Sequence, residues 1–592
     1  MQKIIQWMMA AILICGTTVF TACSSGDDDV KEPPVQPEQP DDDGANSGTS
    51  GNITYIKRSW NGTKVVDKEV TVKAKWLNEI QVAKGDSRFM GEKSEEGEYW
   101  YVTGNHTIEG GIELENYHSL NLILCDDATL RVKYIQIRDL STLRIFGQKR
   151  GTGKLLIEDP GDRHCAIGNG GANFGTIEIH GGQITAKGGE KCAAIGESCY
   201  YDGSEETYKI YRFQDIKIYG GVINATGGDG AAGIGGSLKS YGDEWGNIYI
   251  YGGDILAKGG GYVWGLDYYG GAGIGGGCTS PIKSVNIYGG NVEAIGGSEA
   301  AGIGCGEDAE KKFNGKGIIN IYGGNVEATG KAHAAGIGGG DGVYLKKIFI
   351  SGGEVFARGG MNAAAIGGGE GAQGGNIEIT GGYVQATAGA DGAGIGGGED
   401  GDGGTITISG GTVYAWGLGY GAGIGGGQDG NSGKITITGG RLEARGGNDA
   451  AGIGTGEETT TGPNIKADNI TISGGQVSAL GKGKGAGIGA GEDAEVGTIN
   501  ISTESGNLYI SARAGNDCDW YHGAIGSYRS DYFGTLNIGN GVKVIGLPEE
   551  GDWFTVPVAY GQVGYAQWRC HVQLATCDHP GYTAETCIFC KH

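Results

Sequence analysis

A short phrase, Ala-Gly-Ile-Gly or a close variant, recurs along the chain and constrains its fold more than any other feature. Five of the eleven intervals between successive copies equal 29 residues, and most of the others are longer because they carry insertions. The isoleucine of the phrase is found at Ile167, Ile195, Ile234, Ile274, Ile303, Ile337, Ile366, Ile395, Ile424, Ile453, Ile488 and Ile525. A fixed period of this length predicts a solenoid in which each repeat adds one coil.

Within a repeat the apolar residues alternate with period two, which predicts strands rather than helices. The coil around Ile424 carries three inward-facing pairs: Ala422 with Ile424, Ile435 with Ile437, and Leu442 with Ala444. Glycine makes up 126 of the 592 residues and clusters between these pairs, where sharp corners favour positive φ and close stacking leaves little room for Cβ atoms. The predicted fold is all-β, a right-handed parallel β-helix with three short strands per coil.

The coils also carry a family resemblance. Tyr101-Val102-Thr103-Gly104, the run from Leu120 to Leu124, Gly151-Thr152-Gly153-Lys154-Leu155 and the many Ala-Gly-Ile-Gly-Gly-Gly coils resemble the glycine-rich β-helix repeat proteins on the surfaces of gut Bacteroidota and Clostridia. The resemblance covers about residues 95 to 545. It implies a pectin-lyase-like solenoid with a role in carbohydrate binding or adhesion, usually without an assigned reaction.

The N-terminus predicts a lipid anchor. Lys3, an apolar stretch from Ile4 to Phe20 and the small residues before Cys23 resemble the lipobox of bacterial lipoproteins, in which the cysteine is acylated after cleavage. The alternatives are a secretory signal with a chance cysteine, or a transmembrane helix. The acidic triplet Asp27-Asp28-Asp29 resembles the export signal of Bacteroidota surface lipoproteins, although it is also compatible with a plain tether. We therefore expect a protein on the outer membrane, exposed at the cell surface.

Composition divides the chain into five segments. We predict a signal peptide at 1–22, a disordered acidic and proline-rich tether at 23–50, an N-terminal cap at 51–99, the β-helix at 100–545 and a module rich in Cys and His at 546–592. The formal net charge of −24 argues against a nucleic-acid partner, because phosphate binding needs a basic surface.

Tyrosines mark one candidate binding face. Tyr219, Tyr251, Tyr288 and Tyr322 precede the Gly-Gly corner in four successive coils, and Tyr249 adds to them. An exposed aromatic row suits the apolar faces of sugar rings in a polysaccharide or host glycan, although tyrosines also simply stabilise sheets. Insertions in the same region add two predicted ring platforms and three predicted hydroxyl-binding acids: Trp245 and Trp264, with Asp243, Glu244 and Asp267.

Two patterns raise the question of metals. A row of turn carboxylates includes Glu399, Asp400 and Asp402, which calcium would bridge, although solvated turn acids explain the row better. In the tail, Cys570, Cys577, Cys587 and Cys590 fit either a zinc site or two disulfides.

We expect a carbohydrate-binding protein rather than an enzyme. A polysaccharide lyase or glycoside hydrolase on the same scaffold is the first alternative, and such enzymes cluster carboxylates with basic residues on adjacent coils. Outward residues such as Lys217 are interpreted as isolated, and no catalytic pattern emerges. A passive spacer is the second alternative.

Overall fold

A computed structural model describes most of the chain between Ser50 and Leu574. The residues outside the description are 1–49, 78–87, 163, 169–174, 199–214, 239–245, 265–266, 281, 308–313, 460–463, 504–507, 517–523, 529–533, 540–541, 548–553, 556–568 and 575–592. The described residues form strands and turns and no helix, so none of them belongs to a helix able to cross a membrane.

Three long sheets contain nearly all of the strands, and each coil contributes one strand to each sheet. The first sheet carries the Ile-Gly phrase. Its strands are Arg88–Met90, Ile112–Leu114, Ile135–Ile137, Ile167–Gly168, Ile195–Gly196, Ile234–Gly235, Ile274–Gly275, Ile303–Gly304, Ile337–Gly338, Ile366–Gly367, Ile395–Gly396, Ile424–Gly425, Ile453–Gly454, Ile488–Gly489 and Ile525–Gly526.

The second sheet follows the first along each coil. Its strands are Glu98–Val102, Ser119–Leu124, Thr142–Gly147, Thr176–Ile179, Asp215–Ile218, Asn247–Ile250, Ser284–Ile287, Lys316–Ile321, Leu345–Ile350, Asn376–Ile379, Thr405–Ile408, Lys434–Ile437, Ile470–Ile472, Thr498–Ile501 and Thr535–Ile538.

The third sheet completes each coil. Its strands are Asn105–Ile108, Thr129–Val132, Lys154–Ile157, Gln183–Lys187, Val222–Thr226, Asp254–Lys258, Asn291–Ile295, Asn325–Thr329, Glu354–Arg358, Tyr383–Thr387, Thr412–Trp416, Arg441–Arg445, Gly475–Leu480, Leu508–Arg513, Val542–Leu547, Phe554–Thr555 and Arg569–Leu574. Two small pairs lie outside the three sheets: Gly261–Trp264 with Asp267–Gly270, and Lys466–Ala467 with Glu495–Val496.

The register of the first sheet confirms the predicted parallel β-helix. Ile395 pairs in parallel with Ile366 on one side and with Ile424 on the other, and the pairing continues unbroken from Ile167 to Ile525. All six residues predicted to point inward in the coil around Ile424 are buried. The core is therefore built of stacked isoleucine, valine, leucine and alanine, which stabilise the fold by removing apolar surface from water.

The N-terminal hairpin, Ser50–Trp60 with Val65–Trp76, runs along one side of the coils. Its base joins the second sheet, where Lys75 pairs with Trp100. Further along, Gln148 Nε2 donates to the Thr54 carbonyl at 2.9 Å. The hairpin thus covers part of the outer side of the β-helix in addition to its first coil. Parallel pairing in the first sheet already begins at Arg88, opposite Ile112.

At the other end, part of the predicted Cys- and His-rich module enters the third sheet. Arg569–Leu574 pairs antiparallel with Leu508–Arg513 on one side and with Val542–Leu547 on the other. This tail strand therefore separates two strands that would otherwise be neighbours in the solenoid.

Candidate functional site

The four predicted tyrosines form a column. Each follows the last residue of a strand in the second sheet, and its backbone N–H donates to an isoleucine carbonyl one coil earlier, as in Tyr251 N to Ile218 O at 2.8 Å. The parallel register therefore places one ring above the next. Centroids of Tyr219, Tyr251, Tyr288 and Tyr322 are 4.9, 5.0 and 4.7 Å apart in order, and adjacent ring planes differ by 12 to 16°.

The column continues beyond the tyrosines. His180 stacks on Tyr219 with centroids 4.8 Å apart, Phe146 stacks on His180 at 4.6 Å, and Tyr55 of the hairpin lies 4.3 Å from Phe146. Face-to-face stacking occupies the ring faces inside the column. What the tyrosines offer to a ligand is therefore a row of ring edges and hydroxyls.

Burial makes the hydroxyls of Tyr219 and Tyr251 harder to ionise than that of an ordinary tyrosine. It raises the pKa of Tyr219 to about 12, with further contributions from the charges of Glu178 and Asp215. Burial also raises the pKa of Tyr251 to about 12, and the charges of the neighbouring tyrosines contribute to this shift. Both groups can therefore donate hydrogen bonds at any physiological pH.

The hairpin lies against the column through Trp60. The Trp60 ring is 5.5 Å from Tyr251 and 5.2 Å from Tyr288, centroid to centroid. Nearby, the Arg58 guanidinium donates to the His180 carbonyl and pairs with Asp67 at 3.3 Å. These contacts fix the far part of the hairpin onto the second sheet.

A cleft of about 830 Å³ opens between the hairpin and the corner that joins the second and third sheets. Its lining combines aromatic rings, glycine corners, amides and charges of both signs. The lining side chains other than glycine are Arg58, Trp60, Thr63, Lys64, Val65, Asp67, Arg150, Tyr219, Val222, Tyr251, Asp254, Tyr288, Asn291 and Asn325. The cleft lies within the size range of small-molecule sites, and its polar groups are spread along several coils.

Ten segments of the chain match the family model described as Beta helix repeat. These segments are beta helix repeats. The matched residues are 177–196, 216–238, 248–278, 285–307, 319–341, 350–370, 377–399, 406–428, 435–457 and 470–492. No curated protein and no solved structure matches the chain. The beta helix repeats include the tyrosine column but not the hairpin. One side of the cleft is therefore formed by matched repeats, and the other side is formed by the hairpin, which lies outside the matched residues.

Several predicted ligand-binding residues fall elsewhere. Tyr249 lies beside the column, with its ring parallel to that of Tyr251 at 6.2 Å. Trp264 and Asp267 face each other as backbone partners across a small antiparallel hairpin, and their side chains are outside the description. The remaining members of the set also lie outside the described residues: Trp245, Asp243 and Glu244, as does the predicted lipidation site Cys23.

Lys217 is not isolated, which corrects one sequence interpretation. It lies 3.6 Å from Glu178, which also pairs with Arg144 at 2.9 Å. Burial alone would raise the pKa of Glu178, but the neighbouring His180 side chain and the charges of Arg144 and Lys217 lower it to about 2. The three charged residues occupy equivalent positions of successive coils, so aligning the coils would have revealed them. A carboxylate held ionised in this way is unsuited to act as a general acid.

One of the three predicted calcium residues, Asp402, already has structural contacts. Asp402 Oδ1 accepts hydrogen bonds from the backbone and side-chain nitrogens of Asn431, at 3.0 and 2.8 Å. In the described part of the chain, the carboxylates that converge most closely are those of Asp449, Glu457 and Glu492, whose oxygens lie within 4.8 Å of one another. Lys484 Nζ donates to Glu492 in this group. The group of three carboxylates that approach one another therefore lies on later coils than those of Glu399 and Asp400.

The tail is described only in part. Cys570 lies in the strand Arg569–Leu574, opposite Ala512 and Gly546. Cys577, Cys587 and Cys590 lie outside the described residues. The choice between zinc and disulfides stays a prediction.

Proposed function

We propose that the protein is a lipid-anchored surface protein that binds carbohydrate in the cleft between the hairpin and the tyrosine column. The observation that carries the proposal is the composition of the cleft, where protonated tyrosine hydroxyls lie beside Trp60 and the amides of Asn291 and Asn325. A sugar requires both apolar contact and many hydrogen bonds, and this lining supplies the two together.

The geometry favours an extended chain of sugars over a single one. The column repeats a hydroxyl about every 5 Å over four coils. The third sheet adds a parallel row at the same spacing, in which Asn291 Nδ2 donates to Asp254 Oδ1 at 2.7 Å and Asn325 is exposed on the next coil. A ligand that repeats along its length would meet the same groups in each coil.

Charge supports a ligand of low net charge at this site. Arg58, Lys64 and Arg150 are offset in part by Asp67 and Asp254. Arg58 is committed to Asp67 and to the His180 carbonyl. The remaining polar groups of the cleft are suited to hydroxyl groups.

Binding to a glycan array followed by calorimetry with the best ligand tests the proposal. We expect Asn325→Ala and Trp60→Ala each to weaken binding by about fivefold to thirtyfold, because removing a contact that the ligand buries costs about 1–2 kcal/mol. Tyr420→Ala is the matched control, since Tyr420 is a 37% exposed tyrosine outside the cleft. Trp60 also holds the hairpin, so the Asn325 variant separates ligand contact from hairpin docking.

Other results would identify the alternatives. New reducing ends or unsaturated uronate products on incubation would show a glycoside hydrolase or a polysaccharide lyase. Absence of binding to every glycan tested would favour a passive spacer. For the anchor, Cys23→Ala should release the protein from the membrane fraction and abolish labelling by a fatty-acid analogue. Digestion of intact cells with a protease tests exposure at the surface.

A further inference from the structure

A second aromatic surface lies on the outward face of the third sheet and begins on the coil that follows the last coil of the cleft. Its rings are those of Phe356, Tyr383, Tyr414 and Trp416, on three successive strands. Sequence inspection missed it because the rings do not share one position of the repeat. Phe356 pairs with Gln385, and Gln385 pairs with Tyr414, so the rings form a staggered band rather than a column.

The stagger changes how the rings meet. Phe356 and Tyr383 are 5.8 Å apart with planes inclined by 51°, and Tyr383 and Tyr414 are 5.6 Å apart at 48°. Trp416 meets Tyr414 edge-on at 6.3 Å. Tilted rings do not cover one another's faces as the stacked tyrosines of the column do. Tyr383 is 37% exposed, so a ring face is within reach of a ligand.

Arginines flank the band. Arg358 and Arg441 are exposed at its two ends, and no described carboxylate forms an ion pair with either of them. Arg445 lies over the Trp416 ring, with its guanidinium carbon 5.7 Å from the centroid, and pairs with Glu443. We call these seven residues the aromatic–arginine surface: Phe356, Tyr383, Tyr414, Trp416, Arg358, Arg441 and Arg445.

Two guanidinium groups of this surface are unpaired among the described residues, although the chain has a net charge of −24. Glu354 and Glu327 lie nearby in the same sheet, since Glu354 pairs with Tyr383 and Glu327 with Phe356. Neither carboxylate is bonded to Arg358 or Arg441 in the described residues. The guanidinium groups are therefore available to bind an anion, and guanidinium binds carboxylate and sulfate by two parallel hydrogen bonds.

We propose that the aromatic–arginine surface binds an anionic polysaccharide strand. Sugar rings lie on the tilted aromatic faces, and carboxylate or sulfate groups of the polymer bind Arg358 and Arg441 at the two ends of the band. Charge complementarity selects this partner, since a neutral glycan would leave both guanidinium groups unused. This site shares no residue with the proposed cleft and takes a ligand of different charge, although both extend along the third sheet, so it goes beyond the function proposed above.

Affinity electrophoresis of the full chain through gels that contain polygalacturonate, dextran sulfate or neutral dextran tests the proposal. We expect retardation by one or both anionic polymers and none by dextran, and the two anionic gels distinguish carboxylate from sulfate. The double variant Arg358→Gln/Arg441→Gln should weaken retardation at least tenfold and reduce its dependence on salt. Tyr383→Ala should weaken it about fivefold.

Two control variants test whether binding occurs at the aromatic–arginine surface. Tyr420→Ala changes an exposed tyrosine outside both surfaces, and Trp60→Ala changes the cleft, so both should be retarded like the unmodified chain. Circular dichroism confirms that each variant is folded. The proposal is overturned by equal retardation in dextran, by an arginine double variant that behaves like the unmodified chain, by loss confined to Trp60→Ala, or by absence of retardation in all three gels. Loss in Trp60→Ala alone would place anionic binding in the cleft, whereas failure of the cleft proposal alone would leave these results intact.

Discussion

Replacing Gly425 by alanine is expected to be severely destabilising, because two coils meet there. Gly425 has a φ of +133°, and a Cβ atom added to it would lie 1.9 Å from the Gly454 carbonyl oxygen of the next coil. Ordinary contact begins near 3.4 Å, so the coils would have to separate locally by about 1.5 Å. The separation would stretch the hydrogen bond from Gly426 N to Gly454 O, now 3.0 Å long.

Two costs combine in this variant. Backbone strain at positive φ costs about 1–3 kcal/mol, and a weakened buried hydrogen bond costs about 1–3 kcal/mol more. We therefore expect Gly425→Ala to lower the free energy of unfolding by about 2–6 kcal/mol. Gly62→Ala is the control, because Gly62 has a φ of +93° in the hairpin turn but nothing within 4 Å of an added Cβ atom. Gly62→Ala should therefore lower the free energy of unfolding only by the backbone strain, about 1–3 kcal/mol.

Guanidinium denaturation followed by circular dichroism measures both variants. A Gly425→Ala protein that stays insoluble while Gly62→Ala folds would agree with the prediction. Equal stability of the two variants would refute the reasoning, because it would mean that the spacing between coils adapts to a side chain at little cost.

Two further predictions concern ionisable groups. Burial and the charges of Asp449 and Glu492 raise the pKa of Glu457 to about 7, so its contribution to stability is full below about pH 4.5 and is lost as the pH rises through 7. Calorimetry should therefore show that Glu457→Gln raises the transition temperature at pH 8 and has little effect at pH 4; an equal effect at both values would contradict the assignment. Burial raises the pKa of Cys125 and of Cys165 to about 12, so iodoacetamide at pH 8 should modify them only after denaturation, as measured by mass spectrometry. Rapid modification of the native protein would contradict their burial.

The fold could be predicted because the repeat period directly sets the register between strands of neighbouring coils. Residues one period apart become spatial neighbours, so the position of Ile395 between Ile366 and Ile424 follows directly from the sequence. The alternation of apolar residues then assigns the inward side chains, and the glycine clusters assign the corners. The alignment of the tyrosine column follows from the same reasoning.

Contacts that do not follow the period escaped prediction. The hairpin has no counterpart elsewhere in the chain, so nothing in the sequence relates Trp60 to Tyr251 or Tyr288. The alignment of the tyrosines was predictable, but their stacking, which covers the ring faces, depends on side-chain rotation. Glu178 with Lys217 could have been found by aligning the coils, since the two residues are direct partners in the second sheet.

The two aromatic surfaces suggest how a solenoid separates stability from binding. When an aromatic residue occupies the same position in successive coils, the spacing of about 5 Å brings the rings face to face, and their faces are covered by one another. When the aromatic position alternates between coils, as from Phe356 to Tyr383 and then to Tyr414, the rings tilt and leave faces open. Exact repetition therefore leaves ring edges and hydroxyl groups for a ligand, and departure from it also leaves ring faces. In a repeat protein, stacking of a sugar ring on an aromatic face is therefore expected where the aromatic position changes between coils.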